Sequence, residues 1–389
     1  MNRNVWLLFI CQGLVGASAI SQIAVSALIG HSLADDKTLA TLPYALQMTS
    51  VMAASIPAGI VFGRLGRKAG FLLGAVATLI GTVIFAIGLI KADFLLYCLG
   101  SIPTGLGFGI GQHYRFAAAE VAPPAQRSRA IALVMAAGVI SAILGPELVK
   151  HSKEWAMPVL FLGTYIALSA LPALVMLLLA LIELPPVPPR QKSPTPILAI
   201  IARPNFLTAA IAGLVAYGAM NLIMAATPLQ MKLCGFGVDD TTDVIRAHAI
   251  AMFAPGFISG RLIDRFGPHR VILIGGLLNF ICIGFAISGS EFSTFIIALV
   301  TLGVGWNFMF VGASALLTTA HSAAEGVRAQ ASNDFIVFAM VAITSFSSGA
   351  IHAASGWATV NFVVVPFLVL ALGLIAWHYV RRDRLLPAQ

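Results

Sequence analysis

Hydrophobic and polar positions follow each other along this chain in long blocks. Twelve apolar runs of helical length are separated by polar connections that are mostly short. Their approximate limits are 5–29, 41–62, 70–90, 94–119, 128–149, 157–182, 205–231, 243–262, 271–289, 292–318, 330–351 and 357–380. A membrane-spanning helix needs about 20 apolar residues, whereas a barrel strand is short and alternates in polarity. The pattern therefore predicts an all-α integral membrane protein with twelve transmembrane helices.

One connection, from Glu183 to Arg203, differs from the others in length and composition. It is polar and contains six prolines, so it cannot span a membrane. It separates six apolar runs from six more. We therefore predict an N-terminal six-helix bundle at 1–183, a cytoplasmic linker at 184–204 and a C-terminal six-helix bundle at 205–389.

Composition excludes several classes of protein. Of the 389 residues, 59% are hydrophobic and 10% are charged, whereas soluble domains carry about 25% charged residues. A soluble enzyme and a disordered chain are both excluded. The sequence has no phosphate-binding Walker loop, no Gly-x-Ser-x-Gly elbow and no cluster with metal-ligand spacing. We expect no enzymatic activity, no cofactor and no metal.

The distribution of Lys and Arg predicts the orientation. With the N-terminus inside, 16 of these residues fall on the cytoplasmic side and 6 on the other. Positive charge is retained on cytoplasmic loops, so both termini are expected in the cytoplasm. We also expect a multi-pass protein of a bacterial inner (plasma) membrane. Retention of Lys and Arg on cytoplasmic loops also explains the net charge of +8. Binding to nucleic acid is not needed to explain it. The first run follows only a few polar residues, and we expect it to be a retained span.

Two sequence matches indicate an internal duplication. The segment 59–66, Gly-Ile-Val-Phe-Gly-Arg-Leu-Gly, recurs 201 residues later at 260–267 as Gly-Arg-Leu-Ile-Asp-Arg-Phe-Gly. Gly-Leu-Gly-Phe at 105–108 is matched by Gly-Val-Gly-Trp at 303–306, an offset of 198. Each pair occupies the corresponding span or loop of its half, and two nearly equal offsets favour a repeat.

At these residues the chain resembles the major facilitator superfamily, whose signature loop is commonly written G-x-x-x-D-R-x-G-R-[KR]. The first copy matches at Gly59, Arg64, Gly66, Arg67 and Lys68, and the second at Gly260, Asp264, Arg265, Gly267 and Arg270. Gly63 stands where the first copy should carry the aspartate. The resemblance implies two six-helix bundles that alternate access to a solute, with these loops latching the cytoplasmic gate. Anchoring of the topology at the inner leaflet is the alternative role.

Motifs of drug/proton antiporters match only in part. Gly138 and the Gly145-Pro146 pair fit the fifth-span motif, but Glu147 and its neighbours replace the final glycines, and Ser101 stands where those families place an arginine. The partial motif and the aromatic-rich composition slightly favour export of a drug-like or amphipathic compound. The departures support the alternative, uptake of a vitamin-like or aromatic metabolite.

Ionisable residues inside spans require a reason, because a charge at mid-bilayer costs about 2.5–3.5 kcal/mol. Arg115 and Asp334 have opposite charges at similar depth, and we predict that they form an inner gate pair. The alternative is that Arg115 snorkels and Asp334 caps its helix. On the outer side, Glu147 with Arg246 or His248 is predicted to couple transport to protons. An interfacial salt bridge and a satisfied histidine are the alternatives.

Neutral polar residues on spans one, four, seven and ten are the candidates for the substrate cavity, since the resemblance implies that these spans line it. They are Gln22, Gln112, Asn221 and Asn307, and the aromatic residues Tyr217 and Trp306 lie nearby in sequence. The set favours a planar or aromatic small-molecule solute, although each residue could instead bond a neighbouring helix. The expected partners are this solute, protons and the lipid bilayer. We expect a monomer that binds no nucleic acid.

Overall fold

The computed structural model describes residues 2–36, 39, 42–184 and 195–385, and every regular element within these ranges is helical. The α-helices are α1 (Arg3–Leu33), α2 (Leu42–Leu65), α3 (Arg67–Ile90), α4 (Phe94–Gly111), α5 (Tyr114–Val121), α6 (Arg127–Ala136), α7 (Gly138–Ser152), α8 (Leu162–Ala180), α9 (Ile197–Ile201), α10 (Pro204–Leu233), α11 (Val238–Phe253), α12 (Gly256–Phe266), α13 (Pro268–Ser288), α14 (Phe292–Leu317), α15 (Gly326–Phe362) and α16 (Val364–Leu385).

Ten helical segments in the described ranges are long and apolar enough to cross a membrane. Nine of them each match one span predicted from the sequence, and the tenth, Gly326–Arg381, covers the last two. Gly356 separates these two with a left-handed φ of 79°. The remaining predicted span, 243–262, corresponds to α11 and α12. The predicted all-α transmembrane architecture is confirmed.

The chain forms two compact units. The first contains Met1–Pro124 and Ala137–Gln191, and the second contains Ala125–Ala136 and Lys192–Gln389. Helix α6 is thus grouped with the C-terminal helices, although its continuation α7 belongs to the first unit. The bundle limits at 183 and 205 stay a prediction, and the linker 184–204 lies partly outside the described residues.

Helix α3 shows how a membrane helix distributes its residues between lipid and protein. Its large apolar side chains at three- and four-residue spacing are exposed, namely Leu73, Val76, Ile80, Val83 and Ile87. The opposite face buries small and aromatic residues, namely Gly70, Phe71, Gly74, Thr78, Gly81 and Phe85. Small residues let helix backbones approach closely, while large aliphatic side chains suit the acyl chains.

Helix ends follow from local chemistry. The Asp93 carboxylate accepts the Leu96 N–H at 3.0 Å and caps the start of α4. Proline opens α10 and α13, where its missing N–H costs nothing. Gly66 and Gly267 break α2 from α3 and α12 from α13 with φ values of 88° and 81°. The two glycines occupy equivalent positions in the proposed repeat, and the backbone turns in the same way at each of them.

Close packing in each unit depends on glycine and serine. In the first unit, the Ser21 hydroxyl donates to the Gly145 carbonyl at 2.9 Å, and the Ser141 hydroxyl donates to the Gly13 carbonyl at 2.9 Å. These bonds join α1 to α7 at the Gly145-Pro146 pair. In the second unit, a Cβ at Gly256 would lie 2.7 Å from the Ala132 carbonyl oxygen, so α12 lies directly against α6.

Candidate functional site

A small polar cavity lies inside the first unit. It is bounded by Val15, Ser18, Ala19, Gln22, Gln47, Thr78, Thr104 and Phe108, and has a volume of about 10 Å³. The side chains of Gln22 and Gln47 are 2% and 1% exposed. Gln22 Nε2 and Gln47 Oε1 have no hydrogen-bond partner within the described part of the chain. The cavity is therefore lined by two glutamines, each with one amide atom that has no partner within the described residues.

Gln47 was not among the candidates chosen from the sequence, although a signal was present. His248 follows Gln47 by 201 residues, which is the offset of the signature loops. The structure supports this equivalence: Gly105 of α4 lies against the Gln47 carbonyl, and Gly303 of α14 lies against the His248 carbonyl. The repeat thus places one buried polar side chain at the same position in each half.

His248 is fully buried in the second unit. Its Nδ1–H donates to the Leu299 carbonyl of α14 at 2.7 Å. Its Nε2 has no partner among the described residues. The bond to α14 satisfies one ring nitrogen, so it agrees only in part with the satisfied histidine that the sequence left as an alternative. Proton coupling at His248 stays a prediction.

The two asparagines among the substrate candidates bond neighbouring helices. Asn221 Nδ2 donates to the Thr344 and Ser345 hydroxyls of α15 at 3.0 and 2.9 Å. Asn307 Nδ2 donates to the Met252 carbonyl of α11 at 2.7 Å. These bonds orient α10 and α14, while a role in the solute cavity stays a prediction for both asparagines.

An aromatic cluster surrounds Trp306 in the second unit. The Trp306 ring stacks on Phe310 with centroids 5.2 Å apart and meets the edges of Tyr217 at 5.2 Å and Phe253 at 5.7 Å. Phe338 extends the cluster, with its ring centroid 5.5 Å from that of Tyr217. The indole Nε1 has no partner in the described ranges. Flat rings and one free donor in the same cluster suit a planar solute.

Arg115 lies after a break in the fourth span. Helix α4 ends at Gly111, and α5 begins at Tyr114, so Gln112 and His113 form the joint. Both Gln112 and Arg115 are buried. Arg115 Nη1 donates to the Gln112 carbonyl at 3.1 Å, and its guanidinium lies 4.4 Å from the Phe116 ring centroid. The guanidinium is held inside the protein, which differs from the snorkelling alternative.

Asp334, the predicted gate partner of Arg115, belongs to the second unit. Its side chain is 1% exposed, and its Oδ1 accepts a hydrogen bond from Asn333 Nδ2 at 3.1 Å. It lies two turns inside α15, so it does not cap the helix start. The pairing with Arg115 stays a prediction.

Glu147 and Arg246 have partners on their own helices. Glu147 lies 3.3 Å from His151 Nε2, one turn further along α7, and its side chain is 53% exposed. Arg246 lies 3.2 Å from Asp243, and its side chain is 55% exposed. Contacts of this kind at helix surfaces contribute little to stability. Both contacts lie within single helices, so proton coupling by Glu147 with Arg246 or His248 stays a prediction.

The first signature loop forms a network of contacts within the first unit. Arg67 forms a two-point ion pair with Glu120 of α5, with Nε 3.1 Å from Oε2. Lys68 Nζ donates to the Ala180 and Ile182 carbonyls at 3.0 Å each, at the end of α8. Lys at a helix C-terminus satisfies free carbonyls. Glu120 lies at the end of a predicted span, and no feature of the sequence connected it with Arg67.

The second signature loop makes an ion pair through its aspartate. Asp264 Oδ2 accepts a hydrogen bond from Arg129 Nε of α6 at 2.6 Å, and both residues belong to the second unit. Arg265 and Arg270 lie over the rings of Phe266 and Tyr379. At the equivalent position of the first loop, Gly63 faces open space. This carboxylate contact can therefore form at only one of the two loops.

The starts of α10 and α15 are joined by another ion pair. Arg203 donates through Nη1 and Nη2 to the two carboxylate oxygens of Glu325, at 2.6 and 2.9 Å. Glu325 Oε2 also accepts the Ser322 N–H at 2.9 Å. These donors lower the pKa of Glu325, with the Arg203 hydrogen bond as the largest cause. Glu325 lies outside the apolar part of α15 and anchors its start.

This pair predicts a pH-dependent contribution to stability. Because the pKa of Glu325 is lowered in the folded protein, its contribution is complete above about pH 4.5 and is lost as pH falls below that value. We expect Glu325→Gln to lower the unfolding temperature at neutral pH, and the difference from the unchanged protein to shrink in acid. The measurement is the unfolding temperature of the purified variant and of the unchanged protein, from neutral pH to below pH 4.5.

Glu154→Gln is the control, because Glu154 is exposed and lies 3.6 Å from Lys153. A difference that is constant with pH would contradict this role for Glu325.

Comparison with known proteins identifies the family. The family model of the Major Facilitator Superfamily matches residues 8–251 and 209–389. The chain belongs to the major facilitator superfamily. The resemblance inferred from the signature loops is thereby confirmed, and the chain is a membrane transporter for a small-molecule solute.

Individual relatives cover nearly the whole chain. The riboflavin transporter RfnT of Brucella anthropi is 36% identical over 377 residues, which are 95% of this chain and 94% of that protein. The uncharacterized MFS-type transporter YddS of Bacillus subtilis is 25% identical, over 97% of this chain and 91% of that protein. Among solved structures, the superfamily transporter FucP in its outward conformation matches with a TM-score of 0.76 at 18% identity, covering 96% of this chain and 98% of that one. The FucP match supports the fold alone.

Proposed function

We propose that this superfamily member imports riboflavin or a closely similar flavin, driven by protons. The observation that carries this proposal is the identity of 36% with the riboflavin transporter of Brucella anthropi along nearly the full length of both chains. Because the identity extends over nearly all of both chains, it includes the spans that are predicted to line the solute cavity. A flavin belongs to the class of vitamin-like or aromatic metabolites that the sequence left as the alternative.

The chemistry of the second unit supports a flavin. The isoalloxazine ring is planar and aromatic, and it stacks well on flat side chains. Trp306, Tyr217 and Phe310 form a cluster of such side chains with centroids 5.0 to 5.2 Å apart, in which Tyr217 is the ring that is not fully buried. The free Trp306 N–H can donate a hydrogen bond to a ring nitrogen or carbonyl oxygen of the ligand.

Direction and coupling are the finer parts of this proposal. Export was slightly favoured by the partial Gly145-Pro146 motif, but this glycine packs against α1 and serves the fold. The relative supports the uptake alternative better. The chain has no ATP-binding loop, so an ion gradient is the available energy source. We place the protein as a monomer in a bacterial inner membrane with both termini cytoplasmic, as the Lys and Arg asymmetry predicts.

Transport measurements in proteoliposomes test this function. With the full-length protein and an acidic exterior, we expect riboflavin to accumulate inside above its external concentration, because inward proton flow drives symport. An uncoupler should reduce accumulation to equilibration. Equilibration without dependence on the pH gradient would leave facilitated diffusion, and outward movement against a gradient would establish export. A protein that moves no flavin in either direction would overturn the proposal.

A further inference from the structure

The polar cavity of the first unit contains two carboxamides that the fold leaves unsatisfied. Gln22 of α1 and Gln47 of α2 both line it, and both side chains are more than nine-tenths buried. The donor Gln22 Nε2 and the acceptor Gln47 Oε1 lack partners within the described ranges. Native proteins satisfy most buried polar atoms, so an unpaired donor and acceptor in one cavity indicate a missing partner.

The two threonine hydroxyls of the cavity are engaged within their own helices. The Thr78 hydroxyl donates to the Gly74 carbonyl at 3.0 Å, and the Thr104 hydroxyl donates to the Gly100 carbonyl at 2.9 Å. Each threonine hydroxyl thus uses its only proton within its own helix. They supply no donor for Gln47 Oε1, and the two amides remain with the Ser18 hydroxyl as the recognition groups of the cavity.

The two amides complement one particular chemical edge. A cyclic imide presents a carbonyl oxygen, an N–H and a second carbonyl oxygen in one plane. The amide donor of Gln22 can bond a carbonyl, and the amide acceptor of Gln47 can bond the N–H. Phe108 lines the same cavity and provides an aromatic surface for the ring that carries the imide. The isoalloxazine ring has such an edge at C2, N3 and C4.

We propose that Gln22 and Gln47 bind the imide edge of the transported heterocycle, with Gln22 donating to the C4 carbonyl and Gln47 accepting from N3–H. This assignment rests on the flavin transport proposed above and adds the residues that select for it. The cavity of about 10 Å³ has room for about one water molecule in this structure. The ligand edge therefore enters only when α1, α2 and α4 of the first unit move apart, a rearrangement that binding must drive.

Binding by the purified full-length protein tests the assignment with three probes. Riboflavin has the free imide, N3-methylriboflavin lacks the imide proton, and lumichrome keeps the imide but has no ribityl chain. We expect the unchanged protein to bind riboflavin at least about tenfold more tightly than its N3-methyl form, because the methylated ring leaves Gln47 unpaired. Gln47→Met should remove most of this preference, whereas Gln22→Met should weaken both flavins alike.

Gln12→Met is the matched control. Gln12 lies on α1, is 8% exposed and does not line this cavity, so its replacement should leave the preference unchanged. In the absence of ligand, Gln47→Met should unfold at no lower temperature than the unchanged protein, since it removes an unpaired buried acceptor. This separates loss of recognition from loss of fold.

The outcomes distinguish this assignment from the proposed function. Riboflavin binding with no preference over the N3-methyl form, or a preference that survives Gln47→Met, overturns the imide site alone and leaves a buried water as the partner of the amides. Lumichrome binding without riboflavin binding supports the imide site and overturns riboflavin transport. Binding of none of the three probes overturns both.

Discussion

Replacing Asp334 by asparagine is expected to abolish pH-driven accumulation of flavin while exchange of flavin across the membrane continues. Asp334 is a carboxylate with 1% exposure inside an apolar helix. A charge buried in a span is costly and marks an ion pathway by default. Asparagine keeps the shape and the hydrogen-bonding capacity of aspartate but cannot carry a proton. The variant should therefore lose the coupling of transport to protons while it still binds flavin.

Two assays on the same proteoliposomes measure this effect. One follows riboflavin uptake under an imposed pH gradient, and the other follows exchange of labelled for unlabelled riboflavin without a gradient. Glu147→Gln is the control, because Glu147 is half-exposed and lies beside His151 on its own helix. Undiminished gradient-driven uptake by Asp334→Asn would exclude Asp334 as the coupling residue. Loss of uptake in Glu147→Gln alone would assign coupling to the outer site.

Gly267→Ala is expected to reduce the amount of folded protein and its unfolding temperature. Gly267 has φ 81° and ψ 156°, a conformation that is essentially restricted to glycine. A Cβ at this position has open space around it, so the cost is backbone strain without a steric clash. Strain of this kind costs about 1–3 kcal/mol. We expect Gly66→Ala, at the equivalent turn, to behave in the same way.

Gly63→Ala is the matched control for this prediction. Gly63 lies inside helix α2, and a Cβ there also meets open space. Alanine is the better helix former by about 1 kcal/mol, so this variant should be as stable as the unchanged protein or slightly more so. Fluorescence-detected chromatography of heated samples compares the variants. Equal losses at Gly63 and Gly267 would show that backbone conformation is not the cause.

The candidate site shows where prediction from the sequence reached its limit. Gln22 was selected because a polar residue in an apolar run is conspicuous, and the structure places it at the cavity. Gln47, its neighbour in space, lies close to the start of its run and was passed over. Only the packing of α1, α2 and α4 brings both amides to one cavity. The offset to His248 could have indicated Gln47 as one member of a repeated pair of positions.

Charged residues show the same limit. Arg67 was selected as part of a signature loop, but its partner Glu120 is 53 residues away in the sequence. Glu147 was predicted to couple transport to protons together with Arg246 or His248, and Asp334 was predicted to be the gate partner of Arg115. The structure adds the exposure of each side chain: Asp334 is buried and Glu147 is half-exposed. Because Asp334 is the more buried of the two, we propose it as the first candidate for proton coupling.

The sequence by itself determined the twelve spans, the superfamily and the positions of the two signature turns. These features depend on local physics, because a bilayer demands about 20 apolar residues and a left-handed turn demands glycine. Only the tertiary structure decided which polar side chains come together: Gln22 and Gln47 line one cavity, and Asp264 accepts a hydrogen bond from Arg129. In a membrane the lipid and the protein interior are both apolar, so hydropathy does not reveal which face of a helix is buried. Partners are therefore set by packing between helices that are far apart in the chain.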